Sequence, residues 1–117
     1  MLDDCSMNQI KEMFAKGVQL ENIGINEKAF SKESSLIILD LLNKFMIPIL
    51  GGDVYIRDES CDVIIPTYDS WYYERAEGES CNSYIKKSVE KAKEYIVNYP
   101  KQNVLFTLVF DRKYLEL

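Results

Sequence analysis

The chain has 117 residues, 47% of them apolar and 28% charged, which fits one domain with a single core and excludes a disordered chain. Its three cysteines (Cys5, Cys61 and Cys81) lack Cys-x-x-Cys spacing and histidine is absent, so a disulfide framework, a zinc site and His-based acid–base chemistry are not expected. The net charge is −5, and the whole excess lies between Asp53 and Glu79, where eight acids face only Arg57 and Arg75. Such a region repels nucleic acid and attracts a basic partner.

No apolar run approaches the ~20 residues of a membrane span. The acidic start, Met1-Leu2-Asp3-Asp4-Cys5, is unlike a signal peptide. The expectation is a cytoplasmic protein with no cofactor and no membrane or nucleic-acid partner.

In chain order, Ser6-x-x-Gln9 predicts a capping box at the start of a first helix, with Met7, Ile10, Met13 and Phe14 on one side and Gly17 as a left-handed C-cap. Val18 to Phe30 reads as a loop with the apolar anchors Leu20, Ile23 and Ile25. Ser31 caps a second helix running to about Lys44, apolar on much of its circumference and so expected to be buried against a sheet. Pro48 precedes a strand in which Val54 and Ile56 alternate with Asp53, Tyr55 and Arg57. Within it Gly51-Gly52 predicts a bulge or a place where another backbone comes close.

Val63-Ile64-Ile65 is a short strand ended by Pro66, and Ser70 to Arg75 is a third strand rich in aromatics. A third helix begins near Ser80, with Cys81, Ile85, Val89, Ala92, Ile96 and Tyr99 on its apolar face and Pro100 as its stop. Val104 to Phe110 is apolar on both faces, the mark of an interior strand. The sum is an α+β fold in a single domain over residues 1–117: an antiparallel sheet of about four strands with three helices.

The stretch from Pro48 to Ser80 is where function should lie. It holds the single tryptophan, four of the eight tyrosines and most of the negative charge. Gly51-Gly52-Asp53 lacks the spacing and lysine of a phosphate-binding loop. Trp71 and Tyr73 share one strand face while Tyr72 and Glu74 share the other; whichever pair faces out is the candidate contact surface. Trp71 reads either as core or as an interface anchor. Cys81 reads as a small core residue. Glu74, Glu77 and Glu79 read as solvated carboxylates, with a glycosidase-like pair as the sharper alternative. Asp58, Glu59 and Asp62 lack calcium-loop spacing.

Taken together, Ile47-Pro48-Ile49-Leu50-Gly51-Gly52-Asp53-Val54-Tyr55, then Trp71-Tyr72, then Gly78-Glu79-Ser80 opening a helix with Tyr84 and Ser88, resemble a class of bacterial immunity proteins. The class is called immunity protein forty and occurs in polymorphic toxin systems. Gly17-Val18-x-Leu20-Glu21-x-Ile23-Gly24-Ile25-Asn26 before the second helix is similar as well, so the likeness spans about residues 10–99. Ala29-Phe30 stands where that class has a tryptophan-containing segment, a departure that bears on local packing.

The resemblance implies a cytoplasmic antidote that binds a cognate toxin domain stoichiometrically, without catalysis. The charge suits a basic toxin, such as one acting on nucleic acid. The docking residues expected are Asp53, Tyr55, Asp58, Glu59, Trp71, Tyr73, Glu74, Glu77 and Glu79. The alternative kept is a small-molecule-binding or hydrolytic α+β module using Asp53 and Glu79. A deep pocket converging on those two carboxylates would favour it.

Overall fold

A run apolar on both faces must lie inside a sheet, and a helix apolar around most of its circumference must lie between other elements. These two demands set the layering. A computed structural model of the protein describes residues 4–25, 27–58, 60–61 and 63–111, the side chains of residues 4–7 and 22 excepted. The fold is α+β, with α1 (Asp4–Ala15), β1 (Val18–Gln19), β2 (Lys28–Phe30), α2 (Lys32–Lys44), β3 (Gly51–Asp58), β4 (Val63–Tyr72), α3 (Cys81–Asn98) and β5 (Val104–Thr107). The five strands form one antiparallel sheet in the order β1-β2-β5-β3-β4.

Helices α2 and α3 cover one sheet face, packing on each other and on β2, β5 and β4, while α1 packs against α2. Both covering helices start on a serine cap: Ser31 Oγ accepts from Ser34 N–H and Ser80 Oγ from Ser83 N–H, each at 3.2 Å. Ser6 does not open the first helix as predicted: α1 already begins at Asp4 and Ser6 lies within it. The core under the helices joins Ile38, Leu39 and Leu42 of α2 to Val89, Ala92 and Ile96 of α3, over Val54, Trp71, Val104, Phe106 and Leu108. Phe30 and Phe106, opposite each other across β2 and β5, are both buried. Phe30 meets Phe14 edge-on at 5.0 Å, so Ala29-Phe30 lies within the packed core region.

The other face carries a smaller cluster of Leu20, Ala29, Tyr55 and Leu105, with Val18, Ile25 and Ile64 against it. Toward the start of β3, Gly51 and Gly52 are buried and Asp53 is exposed.

Several expectations change. Among the described residues the sheet has five strands where about four are expected: residues 18–30 add β1 and β2, while the two strands expected over 63–75 are one ten-residue strand, Val63–Tyr72. Pro66 does not end it: β4 is the outermost strand, where a residue without an N–H is tolerated. Gly17 has no left-handed backbone. A Cβ there would lie 2.6 Å from the Phe30 ring, so its role is close packing. Cys81 is exposed instead of buried, its Sγ 3.4 Å from the exposed Arg75 guanidinium. Ile56, two residues from the turn end of the β3–β4 hairpin, is half-buried.

Candidate partner-binding site

The hairpin of β3 and β4 and its link to α3 hold the predicted docking residues, and close backbone approach is what lets them assemble. A Cβ on Gly52 would lie 2.0 Å from the Thr107 carbonyl oxygen and 2.4 Å from the Trp71 ring. One on Gly51 would lie 2.3 Å from the Trp71 carbonyl oxygen. Of the two readings of Gly51-Gly52, the close approach of neighbouring backbone applies, and the bulge lies across the ladder.

Asp53 pairs with Ser70 and Tyr55 with Pro66, so the single residue Val54 on β3 faces Thr67, Tyr68 and Asp69 on β4. Side chains replace the lost ladder bonds. Thr67 Oγ1 donates to the Val54 carbonyl at 2.9 Å and accepts from Asp69 N–H at 3.1 Å, and the Tyr99 hydroxyl of the α3–β5 connection donates to Asp69 Oδ2 at 2.7 Å. At the centre of the bulge Tyr68 has φ 67° and is 90% exposed. A left-handed backbone costs a non-glycine residue about 1–2 kcal/mol, so the surrounding bonds must hold it there.

Beyond the bulge the strand faces sort out. Trp71 is 5% exposed, stacked on Tyr95 at 5.0 Å and edge-on to Phe106 at 6.4 Å. Its Nε1 is the buried side-chain nitrogen that finds no hydrogen-bond partner among the described residues. Tyr72 is 67% exposed and Glu74 is exposed, so theirs is the outward pair. Lys91 of α3 reaches over this strand end, donating to the Tyr72 carbonyl at 2.6 Å with its ammonium 5.4 Å from the Tyr72 ring.

Glu79 is a structural carboxylate. Its side chain is 6% exposed and accepts from Ala76 N–H at 3.0 Å, Ser83 Oγ at 2.9 Å and the Tyr73 hydroxyl at 3.1 Å, with Lys87 at 3.8 Å. The Ala76 N–H leads in holding its pKa below the ordinary carboxylate value, helped by Ser83, Tyr73 and Lys87 and opposed by desolvation. The Arg75 guanidinium donates twice to the Glu79 carbonyl, at 2.8 and 2.9 Å, and Tyr73 stacks on Tyr84 at 5.9 Å. The whole link from β4 to α3 is therefore built around one acid.

Asp58 closes its turn by accepting from Ser60 N–H and Oγ, and these bonds lower its pKa. Tyr55 is 5% exposed in the smaller cluster, its pKa raised first by burial and then by Asp53 and Glu27.

Of the nine predicted residues, then, Asp53, Glu74 and Glu77 are exposed, Asp58 and Tyr73 are half-buried, and Tyr55, Trp71 and the Glu79 side chain are internal. Glu59 lies outside the described residues, as does Asp62. Asp53 borders a depression of about 240 Å³ with Gly51, Gly52, Ser70 and Tyr72, and Glu79 does not line it. The surface residues that the sequence reading missed are Tyr68 and Asp69. The signal present was the polar, turn-forming Thr67, Asp69 and Ser70 around a lone aromatic.

At ~3.3 Å per residue β4 is about 30 Å long, so Asp58, beside one end of it, and Glu74, beyond the other, are too far apart to belong to a single patch. Among the described residues no helix is long and apolar enough to cross a membrane. Comparison with curated proteins and with solved structures returns no match. A sequence model of the family Immunity protein 40 does match, over residues 19–110, a span that takes in the sheet except Val18, both covering helices, the bulge and the Glu79-centred link. The chain belongs to the Immunity protein 40 family.

Proposed function

We propose that this chain binds a cognate bacterial toxin domain in the cytoplasm and neutralises it by stoichiometric occlusion, without catalysis. The observation that carries the reading is the family match over residues 19–110. The docking surface proposed is the acidic end of the β3–β4 hairpin together with its link to α3, with Asp53, Glu74 and Glu77 as its exposed charges. Folding gains nothing from gathering like charges on one edge, whereas a basic toxin would be steered to it. The hydrolytic alternative on Asp53 and Glu79 draws no comparable support, because Glu79 is taken up by its own loop and held ionised.

The test uses the C-terminal domain of the protein encoded immediately upstream, carrying an inactivating substitution. A one-to-one complex, and protection of cells producing the active domain, are expected. Asp53→Lys and Glu77→Lys should each slow association several-fold at low salt, an effect that shrinks as salt rises. An upstream neighbour without a toxin domain, or a chain that neither binds nor protects, would sink the reading. Unchanged association for both reversals would move the docking face elsewhere on the fold.

A further inference from the structure

Tyr68 is the most exposed of the large apolar side chains described, and the fold holds it so deliberately that its exposure needs a reason. A bulge that served only to bend β4 would suit glycine or asparagine at its left-handed position. A tyrosine there accepts backbone strain while its ring buries almost nothing within the chain. Thr67 and Asp69 on either side are both engaged, one with the Val54 carbonyl and the other with the Tyr99 hydroxyl, so the peptide carrying Tyr68 is fixed from both sides. An aromatic ring pre-positioned on a rigid backbone loses little conformational entropy on burial, which is how interface anchors work.

The same features decide how a partner can approach. Adding a strand to β4 needs a continuous row of free N–H and C=O groups. Pro66 lacks the N–H, and the two extra residues of the bulge throw the row out of line. Side chains, not backbone, are what this edge offers. Around Tyr68 they are acidic: Asp69 is adjacent, and Asp53 lies exposed directly across from Ser70. Among the described residues, no cationic side chain forms a salt bridge with either carboxylate.

We propose that Tyr68 is the anchor of the complex, inserting into an apolar pocket of the toxin domain whose rim is basic and meets Asp53 and Asp69. This rests on the toxin-binding reading above and adds the residue, the mode of contact and the character of the opposing pocket. Tyr68 contributes after encounter, by slowing release, while the flanking acids act during it.

The experiment measures binding kinetics and thermal melting for the parent and Tyr68→Asn with the inactivated upstream toxin domain. Asparagine accepts a left-handed backbone, so the bulge survives the substitution. The expected result is dissociation at least about 30-fold faster, with association within about 3-fold of the parent and a melting temperature equal or higher. A parent that binds and a variant that releases at the parental rate would overturn the anchor and leave the toxin-binding reading intact. A parent that fails to bind would remove both. Self-association of the chain alone, lost in Tyr68→Asn while toxin binding stays intact, would make a second copy the occupant and overturn the proposal.

Discussion

Strands β4 and β5 are both written in strongly apolar residues, yet they end in opposite surroundings. Val104–Thr107 of β5 is buried throughout, lying between β2 and β3 with α2 above it. In β4, Val63 is 44%, Ile65 49% and Tyr68 90% exposed, and Trp71, three residues beyond Tyr68, is 5% exposed. The difference is position in the sheet. An inner strand has its side chains covered on both faces, while the outermost strand is covered fully where α3 passes over it, at Trp71, and partly at Ile64 on the other face. What β4 does with its uncovered length is the part of the molecule free to serve something other than folding.

The sharpest way to break this contrast is to cut one large side chain from each strand. Phe106 is fully buried in the main core, in edge contact with Trp71 and with Tyr99 at 5.8 Å. Phe106→Ala should cost ~3–5 kcal/mol in denaturant unfolding, by lost burial and the cavity left behind. Ile65→Ala on the outer strand should cost under about 1 kcal/mol. Equal losses would mean that β4 is not the open edge described.

A smaller effect is expected where the two environments touch, at Gly52. Its position admits no Cβ without moving the Thr107 carbonyl or the Trp71 ring, and the carbonyl belongs to the interior of the sheet. Gly52→Ala should destabilise by ~1–3 kcal/mol through forced displacement. It should also loosen Trp71, visible as a red shift of the single tryptophan's fluorescence. A variant that melts like the parent with unshifted emission would mean that the approach at Gly52 is not tight.

What could be read in the sequence follows the same division. The inner parts were legible because local signals suffice there: serine caps at Ser31 and Ser80, the 3.6-residue stripe of α3, and a run apolar on both faces for β5. β1 and β2 were not, since strands of two and three residues are held by pairing with distant chain and not by their own propensity. The interruption near Pro66 was visible in composition. That it is a bulge within one strand depends on β3 continuing opposite, a long-range fact. The two extra residues also keep the in–out alternation in phase, so Ile65 and Trp71 still share a face and no defect marks the spot. For the site, the concentration of charge was legible, but the division into free and engaged acids was not. Glu79 and Glu77 look alike in sequence, and only the folded loop brings Ala76, Ser83 and Tyr73 to the first.

That division between free and engaged carboxylates gives the smallest expected effect, and pH resolves it. Glu79 has a pKa held below its ordinary value in the folded chain, chiefly by the Ala76 N–H. In the unfolded chain it returns to the ordinary carboxylate range. Its stabilisation is therefore complete above that range, where both states are ionised. As pH falls the unfolded chain takes up the proton first, so the contribution declines and is gone once the folded carboxylate is protonated too. Glu79→Gln keeps the side-chain length and an oxygen for the Ala76 N–H. It loses the charge facing Lys87, and its amide nitrogen cannot accept from Ser83 or Tyr73. The difference in melting temperature between parent and Glu79→Gln should thus be largest at neutral pH and close as the solution is acidified. Asp58, also held below its ordinary value by Ser60, is common to both proteins and drops out of the difference. Glu77→Gln, at an exposed acid two residues away, should leave melting within a degree or so of the parent at every pH. A Glu79→Gln difference that stays constant into acid would mean the loop depends on the shape of the side chain and not on its charge.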